Sequence, residues 1–162
     1  MAEPQDKKIM SKLVLKNIAA LRAFEGKDLP TGEWVTVTQE MINDFAKATG
    51  DDQWIHTDVE KARKFSPFKT TIAHGFLSLS LLSKLLSVME VQSATMGVNY
   101  GLNKVRFPSP VPSGSRVRLQ SRIASMESYG KNGVKITWDC TLELENSPKP
   151  ACVAEFISLM FE

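Results

Sequence analysis

An α+β domain, in which an antiparallel sheet wraps one long apolar helix, is the fold class this sequence predicts, on three observations. The stretch "GFLSLSLLSKLLSVM" near the middle is apolar nearly all round, the mark of a helix buried within a domain. From Val98 onward the hydrophobic period changes to two, the mark of strands. Before both stand a short strand candidate and shorter helices, so the order is strand, helices, then a run of strands. The 162 residues, 43% of them hydrophobic, make one domain with enough apolar material for a sizeable core.

Taken in order, the first element is a basic amphipathic stretch from Lys7 to Phe24, read as a helix packing one apolar side on its own domain rather than on a membrane. "GEWVTVT" is a short strand. In "QEMINDFAKATG" the residues Met41, Ile42, Phe45 and Ala46 recur at helical spacing, with Thr38 as N-cap and Gly50 closing the helix in a left-handed conformation. The loop "DDQWIH" follows, Asp58 starts a short helix over "DVEKARKF", and "SPFKTTIAHG" connects it irregularly to the central helix. That helix is too short and too serine-rich to span a bilayer, so no stable membrane insertion is expected.

In "GVKITWDCTLELE" the residues Val134, Ile136, Trp138, Cys140, Leu142 and Leu144 share one side, and Lys135, Thr137, Asp139, Thr141, Glu143 and Glu145 the other. "VNYGLNKVRF", "RVRLQSRIAS" and "ACVAEFISLMF" complete the strands, separated by the turns "PSPVPSG", "SYGKNG" and "NSPKP". The arrangement is a single hot-dog fold.

Composition excludes several functions. Twenty Lys and Arg against eighteen Asp and Glu leave +2, too balanced for a nucleic-acid partner. Cys140 and Cys152 are too few for a disulfide scaffold and too far apart for a metal knuckle, so both read as core residues, with Cys152 facing Leu144 across the last turn. The N-terminal stretch has no continuous apolar run before a small-residue cleavage site, and it carries Glu3 and Asp6, which fits a cytoplasmic protein. Two histidines offer too few ligands for a metal site, and no cofactor is expected.

Those two histidines stand in informative places. His56 follows Asp51 by five residues in "GDDQWIH", and His74 precedes Gly75 in "AHG" at the entrance of the central helix. Alone, Asp51 is most simply a charge beside a helix C-cap and His56 a loop histidine bonded to backbone. Paired at this spacing and followed by "AHG", they favour catalysis. His74 reads as a structural hydrogen-bonder or cap, Trp54 as packing, and Lys104 and Arg106 as a solvated strand side or a contact for carrier phosphates.

"GDDQWIHTDVEKA" followed by "TIAHGFLSLSLLS" resembles the hydratase motif of the MaoC-like dehydratases and R-specific enoyl-CoA hydratases. The likeness runs on through "NYGLNKVRFPSPVPSG" and covers most of residues 35–120. It divides the chain into an N-terminal amphipathic helical extension, residues 1–30, and a MaoC-like hot-dog domain, residues 31–162. In that pattern a glycine precedes the catalytic aspartate and the histidine follows five positions later, which selects Asp51 after Gly50, together with His56. Gln53 and Trp54 stand where the usual pattern has Asn-Pro, a variant that resembles the nodulation-protein-N-like branch.

The resemblance implies reversible hydration of 2-enoyl thioesters, or dehydration of R-3-hydroxyacyl thioesters, carried on coenzyme A or acyl carrier protein in fatty-acid metabolism. The residue types suit that chemistry. Water must be held against the β-carbon, a base must take its proton and an acid must supply the α-carbon. An imidazole with an ordinary pKa of about 6.5 and a carboxylate can share these roles. Charge that develops on the thioester oxygen needs fixed donors, and the first amide of a helix beginning at Gly75 is one, with no side chain to bar close approach. The resemblance also makes the Gly75 amide the oxyanion donor and sets Ser83 near the substrate, whereas by itself Ser83 reads as a hydroxyl bonded back into its helix. It implies a homodimer with the acyl chain bound near the interface. A hot-dog acyl-thioesterase and a non-catalytic acyl-thioester-binding subunit are the alternatives, and the intact Asp51 and His56 weigh against the second.

Overall fold

The computed structural model describes residues 12–162. In chain order the elements are β1 (Leu13–Leu15), α1 (Ile18–Arg22), β2 (Val35–Thr36), α2 (Gln39–Thr49), α3 (Trp54–Thr57), α4 (Val59–Phe65) and α5 (Gly75–Leu85). A 3₁₀ turn (Leu86–Val88) then leads to β3 (Met89–Val91), β4 (Met96–Arg106), β5 (Arg116–Tyr129), β6 (Gly133–Leu144) and β7 (Cys152–Phe161). The five-stranded sheet runs β2-β5-β6-β7-β4, antiparallel in every pairing, and β1 pairs with β3 in a separate parallel ribbon.

Strict alternation builds β6. All six residues assigned to the apolar side of β6 are buried, from Val134 to Leu144. Across three strands Ile123, Trp138 and Phe156 stand in one row, all buried, and the Trp138 indole N–H is satisfied by Ser158 Oγ at 2.8 Å. Onto this face α5 presses Leu77, Leu81, Leu82 and Leu85 in one continuous core. Each fully buried leucine contributes about 1.5–3 kcal/mol relative to leaving it in water.

The caps expected around the loops are present. Thr38 Oγ1 accepts from the Met41 amide at 3.2 Å, Gly50 closes α2 at φ 79°, and Asp58 Oδ1 accepts from the Lys61 amide at 2.9 Å. The central helix differs from expectation: it ends at Leu85, and in the single chain only one side of it is buried, with Phe76, Ser80 and Ser83 exposed. "GEWVTVT" contributes only two residues of strand.

Two expectations are overturned. The helix read from Lys7 to Phe24 is, within the described residues, a strand over Leu13–Leu15 and a helix over Ile18–Arg22; Lys7 to Ser11 lie outside them. Asn17 marks the break, because its Oδ1 accepts from the Ala20 amide at 2.9 Å and so starts a helix where one was expected to continue. Pairing with Met89–Val91 then decides for a strand. Cys152 stands opposite Leu142, not Leu144, because the Ala151 amide donates to the Leu142 carbonyl and ends the ladder two residues earlier. Both cysteines are free and buried. Burial pushes the Cys140 thiol up to about 12 and the Cys152 thiol up to about 11, so neither is a nucleophile near neutral pH.

Candidate active site

Three segments converge beside the start of α5. The first is the exit from α2: Gly50, left-handed, turns the chain so that Asp51 leaves the helix, with its amide 3.4 Å from Thr49 Oγ1. The second is α3, one turn long, which carries His56 inward until it is only 6% exposed. The third is the strap Thr71–His74, stitched on one side to α3 by Ile72 N–H to the Ile55 carbonyl at 3.0 Å, and on the other to Val111 by the Ala73 amide at 2.8 Å.

Hydrogen bonds orient the rings. His56 Nδ1 lies 2.7 Å from the Ile72 carbonyl, which can only accept, so the proton sits on Nδ1 and the Nε2 lone pair is left for chemistry. His74 Nε2 lies 2.8 Å from the Asp51 carbonyl and donates to it in the same way. The two imidazoles stack with centroids 3.8 Å apart and planes 24° apart, and Phe45 packs against His74 at 4.9 Å, tilted by 52°. A carboxylate oxygen of Asp51 and one ring nitrogen of each histidine all lie within 4.8 Å of one another.

That spacing suits a shared water. Two atoms each about 2.8 Å from one water oxygen sit roughly 4.5 Å apart at a tetrahedral angle. It suits a metal ion less well. Imidazole lone pairs lie in the ring planes, and in two stacked rings they run side by side instead of converging on one point at about 2.0–2.1 Å.

Gly75 is the first residue of α5, so its amide is among those that the helix leaves without an internal partner. A side chain here would meet resistance: a Cβ would lie 3.0 Å from the Phe107 ring. Packing against Phe107 therefore favours glycine here, in addition to any approach of substrate. His74 is the N-cap residue of α5, yet its side chain caps nothing, being committed to Asp51 instead.

Ser83 is not brought to this cluster. Eight residues along α5 set it roughly 12 Å from Gly75 along the axis. It is exposed, does not bond back into the helix, and donates to Asn99 Oδ1 at 3.4 Å beside a groove of about 300 Å³ between α5 and β4. Lys104 and Arg106 line a different groove, on the outer face of the sheet with Asp139 and Glu155. Lys61 Nζ sits over the Trp54 ring at 5.1 Å.

Two glutamines brace the site, neither given a role by the sequence. Gln53 Nε2 donates to Asp51 Oδ1 at 3.2 Å, and Gln39 Nε2 donates to the His56 carbonyl at 2.8 Å while its Oε1 accepts from Thr71 Oγ1. Gln53 was signalled by its place inside the motif. Gln39, seventeen residues before His56, was signalled by nothing.

Fold and site together define a single hot-dog domain with an aspartate–histidine pair at the mouth of its central helix. The chain belongs to the MaoC-like domain family, whose model matches residues 22–143. It is 52% identical over 143 residues to the 3-hydroxyacyl-thioester dehydratase Z of Mycobacterium tuberculosis, covering 88% of this chain and 94% of that one. It is 44% identical over 137 residues to Nodulation protein N of Rhizobium leguminosarum bv. viciae, covering 83% and 85%. Among solved structures, R-hydratase PhaJ1 from Pseudomonas aeruginosa superposes with a TM-score of 0.65 at 23% identity, over 91% of this chain and 87% of that one, and shares the hot-dog fold.

Proposed function

We propose that this protein reversibly hydrates 2-enoyl thioesters and dehydrates R-3-hydroxyacyl thioesters, with Asp51 and His56 activating one water. The observation that carries this reading is the setting of His56: a buried ring whose Nδ1 lies 2.7 Å from the Ile72 carbonyl, which leaves Nε2 for chemistry, and one of whose nitrogens lies within 4.8 Å of an Asp51 carboxylate oxygen. In the hydration direction the water oxygen bonds to the β-carbon, and its proton passes to His56 Nε2. The displaced electron pair moves through the α-carbon onto the thioester oxygen, opposite the Gly75 amide. A proton returned by the pair to the α-carbon completes the 3-hydroxyacyl thioester. Asp51, held by Gln53, orients the water throughout. The 52% identity to a named 3-hydroxyacyl-thioester dehydratase supports the same chemistry and substrate class.

The working unit in this reading is a homodimer. Among the described strands β4 forms one edge of the sheet, eleven residues long and bonded only to β7, and it exposes Met96, Val98, Tyr100 and Leu102. Phe76 and Phe107, edge to face at 6.3 Å, extend the apolar surface toward Gly75. A long apolar edge of this kind needs a cover. A second copy would supply it and enclose the groove that Ser83 borders, which is how Ser83 could come to line the acyl site. No helix among the described residues is long and apolar enough to cross a membrane, and we assign the chain to the cytoplasm, where two unpaired thiols are the norm.

Crotonyl-CoA tests the chemistry. Hydration removes the conjugated double bond and its absorbance without releasing thiol, and that is the expected result. Release of free thiol at a comparable rate would replace the hydratase with a thioesterase. The protein's own buried cysteines do not interfere with a thiol reagent in the native state.

A further inference from the structure

We infer that His74 is a positioning residue of this site, a buried side chain that ties its three segments into a single geometry. The inference rests on the assignment of Asp51 and His56 as the water-activating pair. His74 makes one contact with each component. Its ring stacks on His56 at 3.8 Å, its Nε2–H holds the Asp51 carbonyl at 2.8 Å, and its own backbone leads directly into Gly75. It is 3% exposed, and Phe45 packs against it.

The parts need such a tie. Asp51 is in a loop beyond α2, His56 on a helix of one turn, and Gly75 at the head of another helix; neither of the first two positions has much stiffness of its own. Catalysis between groups on separate segments is sensitive to their mutual placement, and an error of about 1 Å can cost on the order of a hundredfold. The stack holds the plane of the His56 ring, so that its Nδ1–H reaches the Ile72 carbonyl and its Nε2 is kept free of that bond. The bond to the Asp51 carbonyl holds the main chain from which that carboxylate springs.

His74 is not itself suited to be the base. Its one neutral-state proton is committed to Asp51, and its Nδ1 is buried without a hydrogen-bond partner among the described residues. The position therefore suits a ring that holds other groups still.

Two substitutions separate the contacts. His74→Phe retains a ring to stack on His56 but loses the donor to Asp51, and His74→Gln retains a donor at nearly the same reach but loses the stack. Each is expected to lower kcat for crotonyl-CoA hydration by roughly ten- to a hundredfold, with KM within about threefold of wild type. Both should remain folded by circular dichroism. The ¹⁵N shifts of the His56 ring give a second readout: wild type should show the proton on Nδ1 alone, and His74→Gln should show it shared between the two nitrogens. A part in stability alone would lower the thermal midpoint and leave kcat per folded molecule and the tautomer untouched. Wild-type kcat in both folded variants overturns the proposal, provided Asp51→Asn and His56→Ala are inactive. Full activity in those last two would remove the reading of the pair first.

Discussion

Along β6 every second side chain goes inward, β5 and β7 follow the same rule up to Ile123 and Phe156, and Ile123, Trp138 and Phe156 meet in one row. Between Gly50 and Gly75 no such period exists. Helices of four and seven residues alternate with loops, and the buried groups include His56, Ser66, Thr71 and His74. The sheet is held by many interchangeable apolar contacts, each of modest strength. The site is held by a few hydrogen bonds from side chains to particular carbonyls: His56 to Ile72, His74 to Asp51, Gln39 to His56. The first region should therefore answer to substitution in stability, and the second in turnover.

The sharpest division between them comes from the pair. Asp51→Asn and His56→Ala should each lower the hydration rate by about 10²–10⁴-fold, the usual contribution of an acid–base group. Their thermal midpoints should stay near wild type for Asp51→Asn, and lower for His56→Ala, which leaves the Ile72 carbonyl without its partner. If Asp52→Asn proves inactive while Asp51→Asn is mild, the register within the motif is wrong.

The converse experiment is Trp138→Ala. It empties a fully buried position and should lower stability by about 3–5 kcal/mol, measured by denaturant unfolding. Turnover per folded molecule should hardly change. A folded Trp138→Ala protein with turnover as low as that of Asp51→Asn would show that sheet and site are not separable.

Gly75→Val lies on the boundary between the two regions. Barring the thioester oxygen from its amide donor typically costs about 3–4 kcal/mol in the transition state, whereas valine in place of glycine carries no cost in helix propensity. The Phe107 ring adds a steric cost, since a Cβ would stand 3.0 Å from it. The double variant Gly75→Val/Phe107→Ala removes that collision. It should regain thermal midpoint relative to Gly75→Val without regaining turnover, and recovery of both would make the glycine a packing requirement alone.

The smallest effect belongs to a region outside both. The Ser93 hydroxyl and the Ile18 amide donate to the Glu162 carboxylate and hold its pKa below the usual carboxylate range. A lowered folded pKa stabilises above the unfolded value and ceases to as pH falls through the folded one. Glu162→Gln should thus lower the thermal midpoint slightly at pH 7, and the difference from wild type should vanish in acid. A difference that grows in acid would contradict the assignment.

Much of this molecule was legible in the sequence. Alternation from Val134 to Leu144 determined which side of β6 is buried, because a pleated strand sends successive side chains to opposite faces whatever lies beyond it. Thr38, Gly50 and Asp58 determined where helices begin or end, because their bonds are local. Asp51, His56 and Gly75 stood out through spacing and motif. Tertiary structure decided the rest. Leu13–Leu15 became a strand because Met89–Val91 lies alongside, a partner that no local pattern announces. Ser83 faces Asn99 rather than Asp51 because eight helical residues carry it away along the axis. The protonated nitrogen of His56, the stack with His74 and the hold of Gln39 depend on carbonyls and rings from segments 16 to 18 residues apart, whose directions are set only when the strap Thr71–His74 is laid between α3 and Val111. Periodicity and caps are written in neighbours along the chain; the tautomer of a buried imidazole is written in what folding brings to it.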